Sequence, residues 1–93
     1  MNNQTVTSEL SAQVQAGEDL AWLQGDSRFK RLITQGYIVD VLMNESQYMM
    51  DANPAIRQEA LEKIQSVNYF RQYLTEIANI AEGAKQDLAD GSD

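Results

Sequence analysis

From Pro54 to about Ala89 the chain can be read at alternating steps of four and three, giving Ile56, Ala60, Lys63, Val67, Phe70, Leu74, Ile77, Ala81, Ala84 and Leu88. Such spacing keeps one stripe of a helix in line, whereas a strand alternates its side chains at every residue and cannot reproduce it. Only Lys63 breaks the apolar seam. Glu59 stands four residues before it, the favourable order for an ion pair along a helix. A helix of about 35 residues rises to about 52 Å. Tyr69, Tyr73 and Ile80 lie beside the seam and widen its apolar arc to about 160°, more than the roughly 100° stripe that one neighbour covers.

The start of this helix is marked by Asp51-Ala52-Asn53-Pro54, with Asn53 as the cap and Pro54 at the first helical position. Before it, a helix is expected from about Arg28 to Met50, capped by Asp26 or Ser27. Its apolar set is Phe29, Leu32, Val39, Met43 and Met50, and Gly36 and Ser46 fill the remaining seam positions so that a neighbour can come close. At about 23 residues, or roughly 35 Å, that helix is too short to cover the final one. The remainder of the seam is then either exposed or filled by another chain. This makes Val67, Phe70, Tyr73, Leu74 and Ile77 the expected protein interface.

Residues 1–7 are read as a disordered lead, and Leu10 and Val14 as a short amphipathic helix that Gly17 ends. Leu20, Ala21, Trp22 and Leu23 follow as an apolar anchor closed by Gly25, and residues 91–93 as a frayed acidic tail. The expected fold is all-α: a single helical domain over 8–90, built as a helical hairpin of two long helices with a short N-terminal helical segment, self-associating in the manner of a coiled coil.

The chain has no Cys and no His. A disulfide framework and a thiolate metal site are thereby excluded, along with the commonest general base and metal ligand. Glu59 with Glu62, and Glu76 with Asp40, are the carboxylate pairs on offer, and nothing in their spacing selects a substrate. Asp87, Asp90 and Asp93 lack the turn glycine and bidentate glutamate of a calcium loop. No phosphate-cradling glycine loop or nucleophile elbow is present. The expectation is a protein that is not an enzyme, with no catalytic, cofactor-binding or metal-binding residues and no cofactor.

A net charge of −7 repels phosphate backbones, so neither nucleic acid nor an anionic membrane is an expected partner. The polar start, Met1 to Ser8, does not read as a signal peptide, and no apolar run approaches the roughly 18 residues of a span; a soluble intracellular protein is expected. Arg28, Lys30 and Arg31 form the single basic cluster. They occupy a helix start, where the dipole prefers acids, and are candidates for contact with an anion or a partner.

The stretch Arg28-Phe29-Lys30-Arg31-Leu32-Ile33, with Gly36-Tyr37 and later Val67-Asn68-Tyr69-Phe70-Arg71-Gln72-Tyr73-Leu74, resembles small acidic helical proteins of tailed bacteriophages, often encoded among virion-assembly genes. The likeness covers roughly residues 18–88. It implies a phage origin, a role in head or virion assembly and no catalytic residues. It also implies residence in the cytoplasm of the infected host or in the virion, with another copy of itself or another phage or host protein as partner. A rival expectation is a small acidic regulatory protein that binds and inhibits a host enzyme or defence component. Another is an oligomer whose repeated Arg28, Lys30 and Arg31 hold anionic small molecules. Acids interspersed with bases along the helices favour the assembly protein.

Overall fold

The computed structural model describes residues 3–91 and is all-α, with no strand among the described residues. Helix α1 runs Asn3–Gly25. Helix α2, Ser27–Phe29, passes without a break into a π-helix, Lys30–Val39, and then into α3, Asp40–Ser46; the three make one middle helix. After a turn over residues 47–50, α4 runs Pro54–Asp90. The expected span 8–90 resolves into two compact units, one joining residues 3–23 to residues 73–91 and the other formed by Gln24–Gln72.

In the first unit α1 lies antiparallel to the last part of α4. Leu10 and Leu88 line one groove, while seven residues further along α1 and seven back along α4, Gly17 meets Ala81. Val14 and Ala84 fall between these pairs at matching positions. Gly17 therefore does not end a helix, as its sequence position suggested. It sits inside one, because a Cβ there would lie 2.3 Å from the Ala81 Cβ. The short N-terminal segment is in fact a 23-residue helix, and residues 3–7, read as a disordered lead, are its first turn and more. Residues 1–2 and 92–93, the latter in the expected acidic tail, lie outside the described residues.

In the second unit the middle helix accompanies the first part of α4. Asp26 supplies the cap: its Oδ1 accepts from the backbone N–H of Arg28 at 2.9 Å and of Phe29 at 3.3 Å. At the turn, Asn53 Oδ1 accepts from the Ala55 N–H at 2.9 Å, and Asp51 Oδ1 accepts from the Asn53 N–H at 2.8 Å. Both caps satisfy first-turn donors that have no intrahelical partner. The rings of Tyr37 and Phe70 meet edge to face, centroids 5.8 Å apart and planes at 70°, a favoured aromatic geometry.

The buried face of the middle helix is the expected one only at Phe29 and Val39. These two and Ile33, Tyr37, Ile38, Val41 and Leu42 are half-buried, as is Met49 in the turn, whereas Leu32, Met43 and Met50 are 72%, 68% and 91% exposed. The expected set assumed α-helical bonding throughout. Bonds from residue i to i−5 put more residues into each turn, so steps of four and five follow one face through residues 30–39. Nor does Gly36 admit a neighbouring helix. It is exposed, and what a Cβ there would approach is the Arg31 carbonyl oxygen of its own helix, at 2.6 Å.

From Val67 onward the seam of α4 keeps its expected phase, while before it Ile64 rather than Lys63 takes the inner position. Ala60, Val67, Ala81 and Ala84 are buried, Leu61, Ile64, Phe70, Leu74, Ile77 and Leu88 half-buried, and the expected Ile56 and Lys63 exposed. The expectation that part of it is either exposed or filled by another chain rested on a single covering helix. Two helices share the task, the middle helix beside the first part of α4 and α1 beside the last.

Two sets of substitutions test this packing. Alanine favours helix over glycine by about 1 kcal/mol, so Gly83→Ala, with nothing within 4 Å of the added carbon, is expected to raise the urea midpoint. Gly17→Ala is expected to lower it, because overpacking costs roughly 1–3 kcal/mol. Equal shifts in the two variants would contradict the close contact at Ala81. Asn53→Ala is expected to cost about 1 kcal/mol in the same assay, as loss of a helix cap does.

Candidate functional site

The five residues expected to form an interface fare differently. Val67 is 0% exposed and offers no surface to a second chain in this arrangement. Phe70 is half-buried and engaged by Tyr37. Leu74 and Ile77 are half-buried on the seam, and Tyr73 alone is exposed. Ile80, also exposed, stands seven residues beyond Tyr73 on the same face of α4, since seven residues make about two helical turns. An accessible apolar face thus exists on α4, but it lies beside the seam rather than along it.

The basic cluster is divided as well. Arg28 reaches back to its own cap, donating from Nε to Asp26 Oδ1 at 3.2 Å and from a terminal nitrogen to Oδ2 at 2.9 Å. Its charge is therefore answered within the chain, two residues away. Lys30 and Arg31 are exposed. The Arg28 side chain, assisted by the N–H groups of Phe29 and Arg28 and by the charge of Arg31, holds the Asp26 carboxyl below its ordinary value against an opposing effect of burial. The same bond raises Arg28.

Lys63, the one charged residue in the expected seam, lies 3.2 Å from Glu59 on its own helix and 3.7 Å from Glu45 on α3. The first pair was legible from spacing, whereas the second depends on the π-helix delivering Glu45 to this side. Hydrogen bonding to Glu59 first, and then the charges of Glu45 and Glu59, raise Lys63 above its ordinary value. An open cleft of about 300 Å³ lies here, lined by Glu45, Tyr48, Ile56, Glu59 and Lys63.

Of the carboxylates weighed for chemistry, Glu59 is committed to Lys63, Glu62 accepts from Gln58 at 3.2 Å, and Asp40 accepts from Gln35 at 3.1 Å. Among the described residues no three His, Cys, Asp or Glu are grouped to hold a metal ion; Asp93 of the acidic tail lies outside them. Asp87 and Asp90 border the open groove between Val6, Leu10 and Leu88, of about 720 Å³. No helix among the described residues is long and apolar enough to cross a membrane.

The feature most developed on the surface is therefore apolar. Trp22, read from the sequence as part of an apolar anchor, is 64% exposed. Leu32, Met43, Met50, Tyr69, Tyr73 and Ile80 are exposed as well. Sequence reasoning placed Leu32, Met43 and Met50 in the core; the competing row Ile33, Tyr37, Ile38 and Leu42 was the available signal of a different helical pitch. No family model, curated protein or solved structure matches this chain.

The Asp26 pair has a pH signature. A carboxyl held below its unfolded value contributes stability that is complete above the ordinary 3.8 and is lost as pH falls through the lower folded value. Asp26→Asn keeps a capping oxygen and removes the charge. Wild type is expected to exceed this variant in urea midpoint well above pH 3.8, with the difference closing on acidification. Lys63 runs the other way, its contribution being complete below 10.5 and lost as pH rises through its raised value.

Proposed function

We propose that the protein is a non-enzymatic structural or assembly protein of a tailed bacteriophage, working through helix-mediated protein–protein contacts in head or virion morphogenesis. One observation carries the reading. Among the described residues five apolar side chains are buried, three of them Ala, while eleven large apolar side chains are exposed. Monomeric proteins rarely leave large apolar surface uncovered when it is contiguous, and Trp, Tyr and Met are the types that contact surfaces favour. The phage context is supported by the resemblance of residues 28–37 and 67–74. Tyr37 from the first string and Phe70 from the second meet edge to face in the second unit.

The partner under this reading is a second copy or another phage or host protein, met in the cytoplasm of the infected cell or in the virion. The face of α4 that bears Tyr73 and Ile80 is its most direct candidate, because both are exposed while the adjoining seam stays occupied. The charge of −7 keeps nucleic acid out of the reading.

Light scattering on the purified protein, wild type against Tyr73→Asp with Ile80→Asp, tests it. Wild type is expected to associate and the double variant to be a monomer with an unchanged helical circular-dichroism spectrum. A wild type that is monomeric at every concentration, and that carries no phage or host protein when captured from infected cells, would overturn the proposal.

A further inference from the structure

The middle helix carries two apolar faces that compete for one core. The face in use is Phe29, Ile33, Tyr37, Ile38, Val41 and Leu42, all half-buried. The other is Leu32, Val39 and Met43, at α-helical spacing with Gly36 between, and only its Val39 is half-buried. We propose that residues 30–46 form a two-register switch, in which the π-helix buries the first face and an α-helix over the same residues buries the second.

The geometry supports two discrete states rather than a gradual bend. About two turns of π-helix put the residues that follow about two positions, or roughly half a turn, out of phase with an α-helix. Conversion to α would therefore carry Met43 inward and Ile38 and Leu42 outward, and would withdraw Glu45 from Lys63. Interactions at the five-residue spacing hold the present register. The Asp40 N–H donates to the Gln35 carbonyl, and Gln35 Nε2 donates to Asp40 Oδ1 at 3.1 Å. Tyr37 against Phe70 and Glu45 at 3.7 Å from Lys63 fasten the same register to α4.

Gly36 is the one residue of the π-helix without a Cβ. Its missing Cβ would stand 2.6 Å from the Arg31 carbonyl oxygen, five residues back, where a π-helix closes its bond. In the α register Arg31 bonds to Gln35 instead, and any residue fits at position 36. Packed elements of this kind hold two arrangements and little between them. The switch stands on the geometry of this helix alone and does not depend on the assembly reading.

The chain has no Cys, so a single introduced thiol reports its own exposure. Met43→Cys and Ile38→Cys are made separately and labelled with a maleimide under native conditions, in the natural background and with Gly36→Ala. With Gly36 present the thiol at 43 is expected to react faster than the thiol at 38. Gly36→Ala is expected to reverse that order, changing the ratio roughly tenfold or more. An unchanged order in a Gly36→Ala protein that remains helical overturns the switch. If Gly36→Ala unfolds, Met43→Lys with Ile38→Cys in the natural background decides. A charge at 43 opposes only the α register, so labelling at 38 is expected to slow, and an unchanged or faster rate overturns the switch.

Discussion

One row of residues on α4, Ala60, Val67, Phe70, Leu74, Ile77, Ala81, Ala84 and Leu88, is the constraint to which every other helix answers. Those residues are buried or half-buried, and the row changes character along its length. In its first part Val67 and Phe70 set the distance with volume and an aromatic edge; in its last part Ala81 and Ala84 set it by having almost none. The partner helices match this division. The middle helix offers large side chains, and α1 offers Gly17 where it meets Ala81. Small residues at a helix contact give up apolar area in return for many close atomic contacts. This arrangement leaves the larger apolar side chains on the outside.

The phase of α4 was legible because its bonding never departs from the α-helical period and its start is marked by Asn53 and Pro54. The cap at Asp26 was legible for the same reason, since the chemistry of helix starts is local. Two readings failed where local chemistry gave way to tertiary contact. Gly17 looked like a helix end because glycine usually weakens helices, and only the nearness of Ala81, sixty-four positions along the chain, explains why it sits within one. The face of the middle helix was misassigned because a 3-4 pattern and a 4-5 pattern coexist there, and periodicity alone does not rank them.

The candidate surface was legible in type rather than in place. Apolar excess on α4 predicted contact surface, but the seam itself is occupied within the chain, and what remains accessible is the flank at Tyr73 and Ile80. The basic cluster likewise divides into Arg28, spent on the cap at Asp26, and exposed Lys30 and Arg31. Lys63, placed in the seam by its spacing, lies exposed beside it, with its ammonium group within 4 Å of both Glu59 and Glu45.

The two units also differ in how far apart in sequence their halves lie. The unit of Gln24–Gln72 is contiguous, whereas the other waits for residues 73–91 to reach residues 3–23. During synthesis α1 emerges before the positions that receive Leu10, Val14 and Gly17, which follow it only after the whole of the other unit. Contacts between distant segments form more slowly than local ones. While Gln24–Gln72 is being made, α1 is therefore a helix without its groove, open to chaperones and to neighbouring nascent chains, and the order of assembly within each molecule is written into the spacing of its halves.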